Sequence, residues 1–201
     1  MLTLRSAGPS PFGRKVKMAA KILGLMERIT VEDTDTTSAA DSIRKQNPLG
    51  KIPALILEDG QALYDSRVIV EYFDYLAGGD ALIPTAPAAR FTALAQQALA
   101  DGMMDAAILQ IYEIRWRDEA IRSGKWVDHQ SGKISRSLTA LEAHPPQGRV
   151  TIGHVATACA LGYLDLRFEG KWRAGHSGCV AWLEKFAREC PAFEATRFVQ
   201  G

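Results

Sequence analysis

The hydrophobic pattern of this 201-residue chain changes between Ile83 and Pro87. Before this segment, short alternating runs typical of strands are interspersed with helical runs, whereas after it the long apolar patterns have the helical period. The segment itself, Ile-Pro-Thr-Ala-Pro, has the composition of a linker because proline interrupts both helices and strands. The sequence therefore predicts an α/β domain over residues 1–79, a linker over 80–87 and an all-helical domain over 88–201.

In the first domain the pattern predicts the order strand, helix, strand, short helix, strand, strand, helix. The apolar stripe of the first helix runs through Val16, Ala19 and Leu23. Its basic residues, Arg14 and Lys15 among them, are expected to point away from this stripe. The predicted strands are Leu2–Arg5, Ile29–Asp33, Ala54–Leu57 and Gln61–Leu63.

The second domain is predicted to consist of four helices. In the third of these, the stretch from Val155 to Leu164 is apolar nearly all round, which predicts a helix buried on every side. The helices are expected near Ala88–Arg117, Lys125–Ala143, Ile152–Phe168 and Ser177–Glu189.

Charge and cysteine content argue against several classes of function. The 24 basic and 23 acidic side chains give a formal net charge of +1, so a nucleic-acid footprint or a polybasic membrane surface is not expected. Cys159, Cys179 and Cys190 form no CxxC pair, which favours a reducing compartment. The histidines lack metal-ligand spacing, so no metal is implied. Without a signal peptide or membrane-spanning run, the cytoplasm is the expected location.

Ser10 lies between the first strand and the first helix, in the sequence Ser-Pro-Phe-Gly-Arg. Pro11 suits the first helical position, which makes Ser10 the N-cap that accepts from the Gly13 N–H. A serine hydroxyl can accept this bond and still donate its own proton to an anion at the helix N-terminus. Lowering a thiol pKa by two units takes about 2.7 kcal/mol, within reach of these two effects. Ser10 is therefore either a cap alone or a cap that also activates a bound thiol.

Two further segments combine an ordinary structural role with a ligand-binding one. A turn from Asn47 ends in Ile52 and Pro53 immediately before a strand. A cis bond there would expose the Ile52 main chain to an extended peptide ligand, whereas the simpler interpretation is a strand that starts with proline. Asp65 and Ser66 open the next helix, where they either cap it or also bind a carboxylate.

Together these segments resemble the glutathione transferase family, and the resemblance covers nearly the whole chain. The segments that begin at Ser10, Asn47 and Asp65 occur in the family's order and at its spacing. In the helical half, Ala98–Asp105 and Ala158–Leu164 are similar to bacterial members with a serine-type N-terminal motif. The resemblance implies a thioredoxin-like N-terminal domain that binds glutathione and an all-α C-terminal domain that supplies the pocket for the second substrate.

The resemblance also implies the chemistry of the site. Ser10 would hydrogen-bond the glutathione sulfur, with the backbone of Phe12 nearby. The bound thiolate would then attack a small hydrophobic electrophile. Glutathione is implied as co-substrate, and the family further implies a cytoplasmic homodimer with a role in detoxification.

The same resemblance implies which residues hold the tripeptide. Ile52 would pair its main chain with the cysteinyl unit, ahead of a cis Pro53. Lys51 occupies a position that contacts the glycine end or the backbone of glutathione. Asp65 and Ser66 would hold the γ-glutamyl group.

For the second substrate, the spacing of Met104, Ile108, Tyr112 and Trp116 places all four on one face of the long helix. Such a face either lines a ligand pocket or packs into the core. The sequence leaves both interpretations open.

Two departures from the family pattern matter. The buried helix usually begins with Ser/Thr-x-x-Asp, whereas here the spacing gives Thr151 and His154. Thr151 can still cap this helix, but the reciprocal bond from an acidic residue is expected to be lost, at less than about 1 kcal/mol. Ser6 also lies in the first loop, so either Ser6 or Ser10 could be the serine nearest the sulfur, and Ser10 is preferred because it directly precedes the helix.

Two rival functions are weighed against the transferase. A thiol transferase or dehydroascorbate reductase on this fold needs a cysteine where Ser10 stands, and no cysteine precedes Cys159. A glutathione-binding or scaffolding module without transferase chemistry stays open, since fold does not determine function. The presence of Lys51, Pro53 and Asp65 favours a working glutathione site.

Overall fold

The computed structural model of the protein describes residues 1–199, which form two compact units. Unit 1 contains Met1–Arg90 together with the described chain from Cys190 onward, and unit 2 contains Phe91–Glu189. The chain after Glu189 therefore groups with the N-terminal residues, although the domain prediction assigned it to the helical half. The predicted domain limits at 79, 87 and 88 themselves stay a prediction.

Unit 1 is built on a four-stranded sheet in the order β2-β1-β3-β4. β1 runs parallel to β2, and β3 is antiparallel to both β1 and β4. Two helices connect these strands, a third follows the last strand, and a short fourth helix, α8, comes from the C-terminal segment. The strands are β1 (Leu2–Ser6), β2 (Ile29–Asp33), β3 (Ala54–Ile56) and β4 (Ala62–Leu63), and the helices are α1 (Pro11–Ile22), α2 (Ile43–Gln46), α3 (Ser66–Leu76) and α8 (Ala192–Ala195).

Strand register brings three loops to one edge of this sheet. Arg5 lies opposite Ala54, so the chain that leaves β1 at Ser6 is next to the chain that enters β3. Leu63 lies opposite Leu55, so the chain that leaves β4 reaches the same edge two residues later, at Asp65. The loops before α1, β3 and α3 therefore lie side by side.

The core of unit 1 lies where α1 and α3 pack against the sheet. Leu4 and Leu55 from the strands, Val16 from α1, and Ile69 and Phe73 from α3 are all fully buried. Each such side chain contributes about 1.5–3 kcal/mol of hydrophobic stabilisation when removed from water. This packing fixes the N-termini of α1 and α3 relative to the sheet edge.

The expectation that Arg14 and Lys15 point away from the core was wrong. Both are buried, and the C-terminal segment covers Arg14. The Arg14 guanidinium donates to the Phe193 carbonyl at 2.7 Å and lies 4.2 Å from the centre of that residue's ring. The ammonium of Lys15 lies 5.5 Å from the centre of the Phe12 ring. A periodicity argument could not foresee partners almost 180 residues away.

Unit 2 is helical, as predicted, and the predicted combination of a thioredoxin-like α/β fold with an all-helical one is confirmed. Its third helix is buried over nearly its whole length, from Ile152 to Leu164, which confirms the prediction from its apolar composition. The helices are α4 (Pro87–Trp116), which begins in unit 1, α5 (Gly124–Ala143), α6 (Ile152–Phe168) and α7 (Ser177–Glu189), and short 3₁₀ turns occur at Met26–Arg28, Glu119–Ile121 and Lys171–Arg173. Within residues 1–199 no helix is long and apolar enough to cross a membrane.

The expected loss of the reciprocal cap at the start of α6 was also wrong. The Thr151 N–H donates to Nδ1 of His154 at 3.2 Å, and the Thr151 hydroxyl lies 3.1 Å from the same nitrogen. A neutral imidazole has an unprotonated ring nitrogen that can accept this bond. Burial lowers the pKa of His154, which favours that neutral form. Histidine thus replaces the acidic residue of the usual capping box.

Candidate functional site

Ser10 is the N-cap of α1, as the sequence predicts. Its hydroxyl oxygen accepts from the Gly13 N–H at 3.0 Å, and Pro11 occupies the first helical position. The cap uses the hydroxyl only as an acceptor, so its proton is available to donate elsewhere. The side chain is partly exposed at the edge of the sheet. A hydroxyl donor and the N-terminus of α1 therefore lie together at one surface position.

Ser6 is placed differently from Ser10. Its hydroxyl, at the end of β1, is buried and has no hydrogen-bond partner among residues 1–199. A Cβ added at Gly13 would lie 2.2 Å from the Ser6 hydroxyl and 3.3 Å from that of Ser10. Both hydroxyls thus approach the same glycine, one beneath α1 and one at its N-terminus. Gly13 leaves the space that lets Ser6 sit under the first helical turn.

The turn before β3 presents an unused backbone unit. Asn47 is buried and holds the turn by donating to the Lys51 carbonyl at 2.8 Å and accepting from the Leu49 N–H at 3.1 Å. The bond between Ile52 and Pro53 is cis. In the described part of the chain, neither the N–H nor the C=O of Ile52 has a hydrogen-bond partner. This backbone unit has the free donor and acceptor that pairing with an extended peptide requires.

The third predicted segment opens α3. Asp65 is exposed and is the N-cap, with one carboxylate oxygen accepting from the Arg67 N–H at 2.9 Å. Ser66 follows as the first helical residue and is buried. Its backbone N–H has no acceptor within residues 1–199. The helix start thus offers a second carboxylate oxygen and a free backbone donor.

Arg5 is a buried anchor that the sequence analysis missed. On β1 it was expected to be one of the polar residues of an alternating strand, but its guanidinium is enclosed by the segment that leads to Asn47. It donates to Asp41 at 2.7 Å and to Thr34 at 2.9 Å. Two more bonds reach Ser42 and Gln46, at 2.8 and 2.6 Å. A charged residue within a strand was the sequence signal, but nothing local identifies its partners.

The C-terminal segment packs against the loop that carries Ser10, a second feature that the sequence analysis missed. A Cβ added at Gly8 would lie 2.5 Å from two carbons of the Phe198 ring. Phe198 therefore rests directly on the backbone of this loop, two residues before Ser10. Only a glycine at position 8 allows the ring to approach this closely.

The face predicted for the second substrate changes in character along α4. Met104 is buried, Ile108 is partly exposed, and Tyr112 and Trp116 are 42% and 61% exposed. Core packing therefore accounts for the first of the four and not for the last two.

Elsewhere, the three cysteines are buried, and burial raises the pKa of Cys179 to about 12. No cluster of three potential metal ligands occurs among residues 1–199.

Family models match both halves of the chain. The N-terminal domain of glutathione S-transferase matches residues 9–76, and the C-terminal domain of glutathione S-transferase matches residues 124–185. An uncharacterized GST-like protein of Escherichia coli K12, YibF, is 36% identical over 165 residues, which are 79% of each chain.

Solved structures match the chain over its full length. A glutathione transferase family member from Pseudomonas fluorescens Pf-5, with bound glutathione, has a TM-score of 0.93 and 39% identity and covers 100% of both chains. A glutathione S-transferase from Methylobacillus flagellatus KT, with bound glutathione, has a TM-score of 0.89 and 31% identity over 99% of this chain and 100% of its own.

Proposed function

Because this chain belongs to the glutathione transferase family, we propose that it binds glutathione and uses Ser10 to hold the tripeptide as a thiolate that attacks a small hydrophobic electrophile. Glutathione is bound in two similar structures, from Pseudomonas fluorescens and Methylobacillus flagellatus. The residues at the sheet edge of this chain support the same ligand here.

The observation that carries the proposal is the geometry of Ser10. Its oxygen accepts from Gly13, so its proton can point to a sulfur placed at the N-terminus of α1. A thiolate at that position gains one hydroxyl hydrogen bond and the favourable end of the helix dipole. The neutral thiol gains less from either, and the difference lowers the thiol pKa. Ser6 is a weaker candidate because its hydroxyl is enclosed beneath α1.

The three neighbouring loops support binding of the whole tripeptide. The free N–H and C=O of Ile52, ahead of cis Pro53, suit the main chain of the cysteinyl unit. The second carboxylate oxygen of Asp65 suits the γ-glutamyl ammonium, and the Ser66 N–H suits its carboxylate. The exposed ammonium of Lys51 suits the carboxylate at the glycine end. The backbone of Phe12, within the first turn of α1, lies next to the proposed sulfur position.

The proposed reaction balances without a metal or redox partner. Glutathione loses its thiol proton to solvent on binding. The thiolate sulfur then supplies an electron pair to an electrophilic carbon, and either a leaving group departs with its bonding pair or an adjacent unsaturated bond takes up the charge and a proton. Ser10 and the helix N-terminus act on the first step by raising the fraction of bound glutathione that is ionised.

The test is the pKa of enzyme-bound glutathione, measured from thiolate absorbance against pH. For wild type we expect a value below that of free glutathione. Ser10→Ala should raise it by about one to two units, because a hydrogen bond to a charged group is worth about 1.5–3 kcal/mol. Ser6→Ala is the matched control and should leave it nearly unchanged. An equal shift in both variants would contradict the assignment to Ser10.

The alternative function is a glutathione-binding or scaffolding module. A partly exposed set of ligand-binding groups without a demonstrated electrophile is compatible with it. Calorimetric binding of glutathione with an unshifted thiol pKa, and no turnover across a panel of electrophiles, would favour the module over the transferase.

The remaining proposals concern the cellular setting. We propose a cytoplasmic homodimer that detoxifies electrophiles, as the family resemblance implies. On α3, Val68 and Tyr75 lie seven residues apart on one helix face and are 45% and 75% exposed. Two such apolar side chains at the surface are compatible with a partner, and sedimentation velocity over a range of concentrations would measure the state of association.

A further inference from the structure

The side chain of Arg5 binds a single segment of the chain, the one that connects β2 to the turn before β3. Arg5 is 2% exposed, and its guanidinium donates four hydrogen bonds within residues 1–199. Nε donates to Thr34 at 2.9 Å, and Nη2 donates to Asp41 at 2.7 Å. Nη1 donates to Ser42 at 2.8 Å and to Gln46 at 2.6 Å. Ser42 precedes α2 and Gln46 ends it, so one residue of the sheet holds both ends of this helix.

α2 depends on such contacts for its position. It spans only Ile43–Gln46, and so short a helix is not stable through its own backbone bonds. Ile43 is fully buried and supplies the apolar contact. The Asp41 carboxylate accepts from the Ile43 N–H at 2.8 Å, and this bond, together with the charge of Arg5, lowers the pKa of Asp41. Asp41 therefore stays ionised next to Arg5, and the two residues hold the start of α2.

The turn that presents Ile52 is attached directly to α2. The Asn47 N–H donates to the Ile43 carbonyl at 2.7 Å, and the Asn47 carbonyl accepts from the Gly50 N–H at 2.8 Å. Gly50 also lies against the helix, because a Cβ added there would lie 3.4 Å from Cγ of Arg44. A displacement of α2 would therefore be transmitted to the turn.

The backbone of Arg5 fixes the other end of the same turn. Arg5 pairs with Ala54 in β3, and Ala54 directly follows Pro53. The chain is thus held by Arg5 on both sides of the turn, at Gln46 through the side chain and at Ala54 through the backbone. A guanidinium suits this role because its donors point in fixed directions and reach several acceptors at once.

We propose that Arg5 is a positioning residue for glutathione, which acts through Gln46 to hold Ile52 where it pairs with the cysteinyl main chain. The inference rests on the proposed function, since it concerns the same ligand. A turn that is ordered before binding avoids the entropy cost of ordering it together with the ligand. The guanidinium does not bond to Ser10 or Asp65. Arg5 therefore sets the affinity for glutathione, whereas Ser10 sets the pKa of the bound thiol.

The test compares Gln46→Ala with the matched control Ser42→Ala. Ser42 accepts from the same Nη1 but lies four residues farther from the turn, and its hydroxyl does not cap α2. Calorimetry measures glutathione affinity, and thiolate absorbance measures the pKa of the bound thiol. Hydrogen-exchange mass spectrometry on the protein without glutathione measures the order of the turn. Thermal unfolding checks the fold of each variant.

We expect Gln46→Ala to weaken glutathione binding about fivefold or more, because a hydrogen bond to a charged group is lost next to the turn. Exchange should become faster in peptides that cover residues 43–52 and stay unchanged over residues 57–63. The pKa of the bound thiol should keep its wild-type value. Ser42→Ala should bind glutathione within about twofold of wild type, as is usual for an exposed position.

Arg5→Lys tests the arginine itself. Lysine keeps the charge next to Asp41, but its single nitrogen cannot reach acceptors on both sides of α2. Affinity should fall at least as far as in Gln46→Ala, and the double variant should bind no more weakly than Arg5→Lys alone, because both changes remove the same contact. Gln46 is only half-buried, so Gln46→Ala still decides the matter if Arg5→Lys does not fold.

Three results would overturn the inference and leave the proposed function intact. They are unchanged glutathione affinity in Gln46→Ala, an equal loss in Ser42→Ala, and a lower unfolding temperature without faster exchange over residues 43–52. The absence of glutathione binding by wild type would instead contradict the proposed function. Exchange in the protein without glutathione would then still decide whether Arg5 holds the turn.

Discussion

Gly13 occupies the most restrictive position of the candidate site. Its Cα lies between the buried hydroxyl of Ser6 and the capping hydroxyl of Ser10, with no room for a side chain. Helix propensity alone favours alanine over glycine by about 1 kcal/mol at such a position. The space available reverses that preference, because a methyl group would displace the serine that the first turn of α1 covers.

We expect Gly13→Ala to lower the free energy of unfolding by about 1–3 kcal/mol, the usual cost of overpacking. Because the added methyl group also presses on Ser10, the affinity for glutathione should fall. Urea unfolding and glutathione calorimetry measure the two effects.

Two further variants separate crowding from other causes. Ser6→Ala combined with Gly13→Ala removes the clashing oxygen and should recover most of the loss. Gly102→Ala, on α4, adds a Cβ that meets nothing within 4 Å and should stabilise the protein by up to about 1 kcal/mol. A Gly13→Ala protein as stable as Gly102→Ala would contradict this account.

The contacts of a single residue could be predicted only when its partner lies close to it in sequence. The Ser10 cap was predicted because the bond spans three residues, and the role of Pro11 is equally local. The partners of Arg5 lie 29 to 41 residues away, and those of Arg14 lie still farther. Propensity and spacing carry no information about contacts of that kind, so the sequence pattern identified neither arginine as buried.

Among the secondary-structure elements, α6 has a first turn whose stability depends on pH. Nδ1 of His154 must carry no proton if it is to accept a hydrogen bond from the Thr151 N–H. It lies 6.1 Å from the ring of Trp182 on α7, and burial holds its pKa below the ordinary value of 6.5. The unfolded chain therefore takes up a proton at a higher pH than the folded one.

This coupling predicts how stability depends on pH. Because the pKa of His154 is lower in the folded state, its contribution to the free energy of unfolding is complete when the pH is above the unfolded-state pKa, near 6.5. That contribution is lost as the pH falls through the lower, folded-state pKa. His154→Gln keeps an acceptor at the third helical position but cannot titrate. We expect its free energy of unfolding to fall less than that of wild type between pH 7.5 and 5.5, as measured by urea denaturation.

The matched control for this prediction is His129→Gln. His129 is exposed on α5, where its ring stacks on Trp126. That variant should keep the pH dependence of wild type. If His154→Gln showed the same slope as wild type, His154 would not be the titrating group.

Most elements were predicted within a residue or two because their periodicity is long and uninterrupted. The 17 residues of α6 coincide with the prediction, as do the limits of α7. The pattern could not identify His154 as a cap, since histidine is an acceptor in this position only when it is neutral. That condition depends on burial by other elements, which a local pattern does not contain.

For the molecule as a whole, unit 1 is discontinuous in sequence. The C-terminal segment joins it through Arg14 with Phe193 and through Gly8 with Phe198. Phe198 rests on the loop that carries Ser10, so this distant residue restricts how that loop can move. The sequence pattern could not show these contacts, because nothing in a short helical segment specifies what it packs against.

We expect Phe198→Ala to weaken glutathione binding several-fold and to raise the pKa of the bound thiol, because the loop before Ser10 loses its support. Stability should fall by about 1–3 kcal/mol, less than for a fully buried aromatic residue, since Phe198 is only partly buried. Calorimetry and thiolate absorbance measure both properties. Val199→Ala is the control, because that side chain is 77% exposed, and an equal effect in both variants would argue against a specific contact.

The return of the chain to unit 1 also bears on the order of events during synthesis. A ribosome releases the sheet, α1 and α3 first, then the whole of unit 2, and only afterwards the residues that cover Arg14 and Gly8. A nascent chain therefore carries Ser10 on an incompletely supported loop until Phe193 and Phe198 have left the ribosome. Glutathione affinity should then develop only once these residues have been synthesised, after unit 2 has had time to fold.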